Sequence, residues 1–258
     1  MLKIISINLN GIRSAARKGF FDWLASQQAD VICMQELRAQ QADMQDELFS
    51  PAGYTGHFHF AEKKGYSGVG IYTRHQPRAV VTGLGWDMAD QEGRYVAVDL
   101  GGLWVASLYL PSGTSGDLRQ SAKFDFLERY ATELEKIRAS KSEFVICGDW
   151  NIAHKQIDLK NWRANQTHSG FLPEERAWMD NLFSDNGFVD AFRTVNQEPE
   201  QYTWWSNRGR AWEKNVGWRI DYQVVTPGLK SSIKSASIYK DQRFSDHAPL
   251  TIEYDIIV

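Results

Sequence analysis

A chain of 258 residues with 43% apolar and 24% charged residues is long enough to bury a core without a disulfide or a structural metal ion. Its formal net charge of −3 does not place it among the strongly basic nucleic-acid binders. No apolar run approaches the roughly 18 residues of a membrane span, and the first residues lack the apolar stretch of a signal peptide, so we expect a cytoplasmic protein.

Apolar runs along the chain predict eight strands with longer amphipathic helices between them. The predicted strands cover residues 3–8, 31–35, 68–73, 95–100, 103–109, 143–147, 220–225 and 249–254. The predicted helices cover residues 14–28, 118–138 and 173–184. This order indicates a sheet core with helices outside it, and the number of strands favours two sheets packed face to face. Neither a repeat nor a linker marks a boundary, so we expect one domain over residues 1–258.

Polar side chains follow the first two predicted strands. Alternation places Asn8 and Asn10 on one face where the first strand ends, although asparagine is also an ordinary turn residue there. The second strand runs directly into Glu36, which could equally be a solvated strand-end acid.

Two later strands carry a sharper signal of the same kind. The strand at residues 143–147 is followed by Gly148-Asp149-Trp150-Asn151, in which the glycine permits a close backbone approach. The last strand is preceded by Asp246 and His247, which are adjacent and therefore point in different directions. A capping role for Asp246 is the structural alternative.

These residue types indicate a hard divalent cation. Glu36, Asp149 and Asp246 offer carboxylate oxygens, and asparagines offer neutral ones, whereas the cysteines Cys33 and Cys147 lie inside apolar runs. Oxygen ligands with few nitrogens and no sulfur suit Mg²⁺ or Mn²⁺ better than Zn²⁺. The chemistry implied is metal-assisted hydrolysis of a phosphodiester.

The distribution of positive charge is compatible with such a substrate. Residues 1–21 hold four basic residues and no acid, and residues 205–219 hold four basic residues against Glu213 alone. Basic stretches beside acidic metal ligands would suit a polyanion bound over a metal, although solvated charged loops are the alternative.

Seven ordered stretches resemble one family, the endonuclease/exonuclease/phosphatase superfamily, and within it the exonuclease III group of abasic-site endonucleases, closest to its mammalian-type branch. They cover essentially the whole chain: residues 8–13, 35–36, 109–111, 148–151, 154–161, 215–222 and 245–247. The stretches at 154–161 and 216–222 are those that resemble the DNA-repair branch. The resemblance implies a four-layer α/β sandwich, in which two packed mixed β-sheets are flanked by helices.

The resemblance also implies roles for individual residues. The metal site would draw on Asn8, Glu36, Asp149, Asn151, Asp246 and His247, with Glu36 as a principal ligand. The catalytic residues would be Tyr109, Asp149, Asn151, Asp221 and His247. In this scheme Asp221 orients His247 toward the scissile phosphate, and Asp149 orients or deprotonates the attacking water.

A further set of residues would contact DNA by the same resemblance: Asn10, Arg13, Asn161, Asn165, His168, Trp204, Arg208 and Trp218. The tryptophans, together with Trp205, would form a pocket for an abasic sugar turned out of the helix. The family often has a third asparagine where this chain has His168. That departure puts in doubt how the 5′ phosphate is held and how endonuclease and exonuclease activities are balanced.

The implied activity is hydrolysis of the DNA backbone 5′ to abasic sites, which leaves a 3′-hydroxyl and requires Mg²⁺, with Mn²⁺ as a substitute. The substrate would be double-stranded DNA with abasic sites or blocked 3′ ends, and we expect a monomer that does not act at a membrane. One alternative is a 3′-5′ exonuclease with weak abasic-site cleavage. A catalytically silent binding module is disfavoured because every metal and catalytic position holds a competent residue.

Overall fold

Two six-stranded sheets form the centre of the computed structural model, which describes residues 1–184 and 186–258. The strands are β1 (Leu2–Asn8), β2 (Val31–Gln35), β3 (Thr55–His59), β4 (Val69–Thr73), β5 (Ala79–Thr82), β6 (Tyr95–Asp99), β7 (Leu103–Tyr109), β8 (Glu143–Asp149), β9 (Val189–Asp190), β10 (Trp204–Trp205), β11 (Gly217–Trp218), β12 (Asp221–Val225), β13 (Ile233–Ile238) and β14 (Leu250–Tyr254). The first sheet has the order β13-β14-β1-β2-β4-β3 and the second β5-β6-β7-β8-β12-β9, while β10 and β11 form a separate pair. Both large sheets are mixed, because β1–β2 and β7–β8 run parallel and the other pairs antiparallel.

Helices lie around the two sheets. They are α1 (Ile12–Arg17), α2 (Phe20–Gln27), α3 (Asp87–Gln91), α4 (Asp117–Ala139), α5 (Trp162–Asn165), α6 (Pro173–Phe183) and α7 (Ala191–Val195). Short 3-10 turns occur at Gln41–Met44, Glu47–Phe49, Gln156–Asp158 and Pro227–Ser232. None of the helices in the described residues has the length and apolar composition that crossing a membrane requires.

Strand alternation divides the apolar side chains into three layers of core. Along β1, Ile4 points into the space between the sheets and Ile5 points toward α2, where it packs in one cluster with Phe20 and Leu24. On the second sheet, the outer residue Ile146 packs with side chains of α4 and α6. The predicted four-layer α/β sandwich is therefore confirmed.

Hydrogen bonds between buried polar side chains join the two sheets. Gln35 of β2 donates to Ser107 of β7 at 3.0 Å, and Ser107 donates to the carbonyl of Met34 at 2.8 Å. Gln223 of β12 donates to the carbonyl of Ile4 at 3.0 Å. These bonds are directional, so they fix how the sheets lie against each other more narrowly than apolar contacts alone.

A buried ion network supports the chain segments behind β11 and β12. Asp158, which is 1% exposed, accepts hydrogen bonds from Arg219 Nε at 2.9 Å and from Arg193 Nη2 at 2.8 Å. Arg219 also donates to Asp190 at 2.7 Å. Burial raises the pKa of Asp158, but Arg219 and Arg193 outweigh it and hold that pKa below its ordinary value.

The predicted helix at residues 14–28 is wrong as a single element. The chain forms α1 and α2 with a break at Gly19, which has φ +84°, a conformation that glycine adopts without strain. The strand predicted at 143–147 continues to Asp149. The edge strands β3, β5 and β13 were not predicted, and neither were the short strands β9, β10 and β11.

Candidate active site

The ends of strands from both sheets meet at one cavity of about 350 Å³. The first sheet contributes the end of β1, the residue after β2 and the turn before β14. The second contributes the ends of β7 and β8 and Ile220, the residue before β12. The acids, amides and rings of the predicted site that line the cavity are Asn10, Glu36, Tyr109, Asp149, Asn151, Asn165, His168, Trp204, Trp218, Asp246 and His247.

Gly148 allows the second sheet to deliver its residues here. In the parallel pairing of β7 and β8, Leu108 lies opposite Gly148 and Tyr109 lies opposite Asp149. A Cβ atom on Gly148 would lie 2.2 Å from the carbonyl oxygen of Leu108, which no side chain can satisfy. Glycine at this position therefore keeps the strands together up to the cavity edge, so that Tyr109 and Asp149 reach it side by side.

His247 is held between two buried carboxylates. Its Nδ1 lies 2.9 Å from Asp221, and its Nε2 lies 3.8 Å from Asp149. Burial lowers the pKa of His247, but Asp221, Asp149 and Asp246 together raise it to about 10. In the protein alone the ring is thus an imidazolium at neutral pH, with one N–H fixed by Asp221 and the other directed toward the cavity.

Asp149 ends β8 of the second sheet and is hydrogen-bonded to Asn8 of the first sheet. One of its oxygens accepts a hydrogen bond from Asn8 Nδ2 at 2.9 Å, and the other accepts from the backbone N–H of Asn151 at 2.9 Å. Burial chiefly, and the charge of Asp221, raise the pKa of Asp149 to about 7 despite the opposing effects of His247 and Asn8. A carboxyl with that pKa can take up and release a proton near neutrality.

Glu36 follows β2 in a left-handed backbone conformation (φ +55°), which turns its carboxylate into the cavity. Oε2 accepts from Asn8 Nδ2 at 3.0 Å, and Oε1 accepts from Arg38 Nε at 2.9 Å. Arg38 lines the cavity beside it and was missed in the sequence. The sequence signal for Arg38 was its position two residues after Glu36. That position alone does not distinguish it from an ordinary surface arginine.

Asp246, in the turn before β14, also lines the cavity. It accepts hydrogen bonds from Asn10 Nδ2 at 2.8 Å and from Trp204 Nε1 at 3.1 Å. Burial raises the pKa of Asp246, but His247 and these two donors outweigh it and hold the pKa below its ordinary value. Asp246 is therefore an anion across the neutral pH range.

Tyr109 and Asn151 complete the polar side of the cavity. Burial and the charges of Glu36 and Asp149 raise the pKa of Tyr109 well above its ordinary value, so it remains a neutral hydroxyl that can donate. Asn151 has φ +52° and donates from Nδ2 to the carbonyl of Leu110 at 2.9 Å. Both groups are thus neutral donors held at fixed positions.

Trp204, Trp218 and Ile220 form the apolar part of the cavity lining, next to Asp246. The two indole rings meet edge to face, with centroids 6.4 Å apart and planes at 85°. Trp205 does not belong to this part of the lining, because it is 1% exposed and packs against Trp212 at 4.4 Å in a separate cluster.

The predicted DNA contacts divide into two groups. Asn165 and His168 line the cavity together with the tryptophans and Asn10. The remaining three predicted contacts, Arg13, Asn161 and Arg208, are exposed residues outside its lining. Arg13 forms a 3.1 Å ion pair with Asp43.

The donors present suit a hard divalent cation. Glu36, Asp149 and Asp246 line one cavity with Asn10 and Asn151 as neutral neighbours. Asp149, Asp221 and His247 also bring one ligand atom each to within 4.8 Å of one another. His247 already directs Nδ1 to Asp221, so that trio matches a proton-handling group, and the cavity-facing carboxylates match a metal site.

Comparison with known proteins finds relatives that match nearly the whole chain. The Endonuclease/Exonuclease/phosphatase family model matches residues 5–247. An exodeoxyribonuclease of Bacillus subtilis (strain 168) is 39% identical, over 99% of this chain and 100% of that protein. A DNA-(apurinic or apyrimidinic site) endonuclease of Dictyostelium discoideum is 36% identical, over 99% of this chain and 71% of that protein. The solved structure of an AP endonuclease from Archaeoglobus fulgidus superposes with a TM-score of 0.88 at 28% identity, covering 99% and 100% of the two chains.

Proposed function

The chain belongs to the Endonuclease/Exonuclease/phosphatase family, and from that premise we propose that it is a DNA-repair nuclease that hydrolyses the backbone 5′ to abasic sites and leaves a 3′-hydroxyl. We propose further that it acts on double-stranded DNA as a monomer, with residues 1–258 forming one domain.

The observation that carries this proposal is that charged and polar side chains and two tryptophans line one cavity. The acids and His247 line the same cavity, of about 350 Å³, as the indole rings of Trp204 and Trp218. A sugar that has lost its base is small and presents C–H groups, so it fits against the indoles while its 5′ phosphate faces His247 and Asp149. A normal nucleotide would have to bring its base into the same space.

Glu36, Asp246, Asn8 and Asp149 are the residues that would hold Mg²⁺. When bound, the ion supplies Lewis-acid stabilisation of the charge that develops on the phosphate. Mn²⁺ has the same preference for oxygen ligands and should substitute for it.

The protein's own groups divide the proton handling. Asp149, whose carboxylate lines the cavity, orients the attacking water and accepts its proton at a carboxylate oxygen. His247, oriented by Asp221, donates from Nε2 to a non-bridging phosphate oxygen. Asn151 and Tyr109 donate to the leaving oxygen, while Asn10, Asn165 and His168 contact the backbone beside the cut.

The test is cleavage of one labelled duplex with an internal abasic analogue and one matched intact duplex, each with and without Mg²⁺. We expect a cut in the abasic strand only, dependent on Mg²⁺, with a 3′ end that a DNA polymerase extends. An uncut abasic strand under all conditions would reject the proposal. A His247→Asn variant should be inactive in the same assay, which controls for contaminating nucleases.

The second candidate is a predominantly 3′-5′ exonuclease, which the name of the Bacillus subtilis relative favours. The same assay separates the two. Progressive shortening of the intact duplex from its 3′ end, with little internal cutting, would support the exonuclease.

A further inference from the structure

Lys123 of α4 and Glu175 of α6 form an ion pair that is fully buried, with both side chains 0% exposed. Lys123 Nζ lies 2.5 Å from Glu175 Oε1. Neither residue belongs to the site described above. The free energy of burying two charges is large, and apolar side chains of similar volume often stabilise a fold as well or better. The contacts of the pair therefore matter more than its contribution to stability.

Lys123 contacts the backbone of Asn151 directly. Its Nζ donates to the carbonyl oxygen of Asn151 at 2.8 Å. Asn151 has a left-handed backbone (φ +52°), a conformation that asparagine adopts more readily than most residues other than glycine. Its N–H and its side-chain amide are already bound, by Asp149 and by the carbonyl of Leu110, so Lys123 fixes the third polar group of this residue.

Glu175 contacts the segment that lines the other side of the cavity. Its Oε2 accepts from the backbone N–H of Gly170 at 2.6 Å and of Leu172 at 3.0 Å. Gly170 in turn accepts from the N–H of Ala153 at 2.8 Å, and a Cβ atom on it would lie 3.1 Å from the carbonyl of Asn151. Residues 165–170, which include His168, thus end at a point fixed by Glu175.

We propose that Lys123 and Glu175 are positioning residues, which hold Asn151 and residues 165–170 in one fixed relation. The inference rests on the proposed function, because it assigns Asn151 to the leaving oxygen and residues 165–170 to the neighbouring DNA backbone. The hydrogen bond from Lys123 to Asn151 sets the rate of the chemical step. The hydrogen bonds that Glu175 accepts from Gly170 and Leu172 set the affinity for DNA. An apolar pair would fill the volume but could supply neither the ammonium donor nor the two carboxylate acceptors.

Two double variants separate the effect of Lys123 on the rate from the effect of Glu175 on the affinity for DNA. Lys123→Met with Glu175→Gln leaves no buried charge and keeps an acceptor for Gly170, so we expect the single-turnover rate at saturating Mg²⁺ and abasic duplex to fall about tenfold to a hundredfold with KM near the parent value. Lys123→Met with Glu175→Leu also removes the acceptor, so KM should rise as well. The amide of Gly170 should then exchange its hydrogen faster than in the first variant.

Leu134→Ala is the matched control on the same helix, because Leu134 is 1% exposed in the core beneath α4 and does not contact the cavity. It should lower stability and leave both constants unchanged. If the double variants do not fold, Glu175→Asp keeps both charges while withdrawing the carboxylate by one methylene, and it should lower the rate and raise KM in the folded protein.

The results distinguish the failures. A parent that cuts abasic duplex while the folded double variants, or folded Glu175→Asp, keep its rate and KM would overturn the positioning role. A loss of activity that follows stability equally in Leu134→Ala would do the same. A parent without activity on abasic DNA would instead reject the proposed function, and the exchange rate of the Gly170 amide would still decide whether Glu175 holds that segment.

Discussion

Nδ1 of His247 lies 2.9 Å from a carboxylate oxygen of Asp221, and neither side chain is more than 5% exposed. This contact joins the turn before β14 in the first sheet to the start of β12 in the second. It fixes which ring nitrogen of His247 faces Asp221 and therefore which one faces the substrate.

Replacing Asp221 with asparagine should lower the single-turnover rate at saturating metal by about 100-fold or more, with little change in KM. The amide keeps the size of the carboxylate but removes the charge that raises the pKa of His247 and orients its ring. Rapid-quench measurement on an abasic duplex gives the rate. A rate equal to that of the parent would show that the orientation of His247 does not depend on Asp221.

Glu36→Gln and Asp149→Asn should affect different constants. Glu36→Gln should raise the Mg²⁺ concentration needed for half-maximal rate, because it removes a proposed ligand charge, whereas Asp149→Asn should lower the rate at saturating Mg²⁺ by about 100-fold. EDTA should abolish cleavage by the parent, and Mg²⁺ or Mn²⁺ should restore it. Identical metal titrations for the two variants would contradict this division, and full activity in EDTA would reject the metal site.

His168 should influence DNA binding rather than chemistry, because it is an exposed residue of the cavity lining and does not follow one of the strands that carry the carboxylates. His168→Ala should weaken binding of abasic duplex about tenfold, the scale of one charge-assisted hydrogen bond, with little change in single-turnover rate. His168→Asn keeps a donor and should bind like the parent at pH 8. Unchanged binding by His168→Ala between pH 6 and pH 8 would show that the residue does not contact DNA.

Asp158→Asn should lower the free energy of unfolding by about 3 kcal/mol at pH 7, because Arg219 and Arg193 lose their buried counter-charge. The folded-state pKa of Asp158 is depressed, so its contribution is fully present above the unfolded value of about 3.9 and is lost as pH falls through the folded value. Urea unfolding of parent and variant should therefore show a constant difference above about pH 5 that narrows below about pH 4. A difference independent of pH would contradict this origin.

The sequence predicted the central strands because their apolar runs are continuous. β2 and β4 are buried along their whole length, and only long runs of Val, Ile and similar residues produce that pattern. Edge strands lack it: every residue of β5 is exposed, and β13 reads Ile-Lys-Ser-Ala-Ser-Ile, which resembles a loop. The break between α1 and α2 at Gly19 was missed because the apolar periodicity continues through it.

The strand-end residues of the site could be placed from sequence, since strands of one sheet end at a common edge. The supporting contacts could not. Lys123 and Glu175 lie 52 residues apart on two helices, and the sequence predicted both helices without predicting which of their faces meet. Trp204, Trp205 and Trp218 are identical in type, so only packing distinguishes the two that line the cavity from the one in the core.

The amide nitrogen of Asn8 donates to Glu36 of its own sheet and to Asp149 of the other. Neither sheet alone holds all of the proposed catalytic and metal-binding residues. The first sheet and its loops carry Glu36, Asp246 and His247, and the second carries Tyr109, Asp149 and Asp221. A nascent chain that has not reached β14 lacks Asp246 and His247, and a molecule whose sheets have separated holds the two sets of residues apart. If the proposed roles hold, hydrolysis requires both sheets to be folded against each other, so a molecule that has not finished folding should not cut DNA.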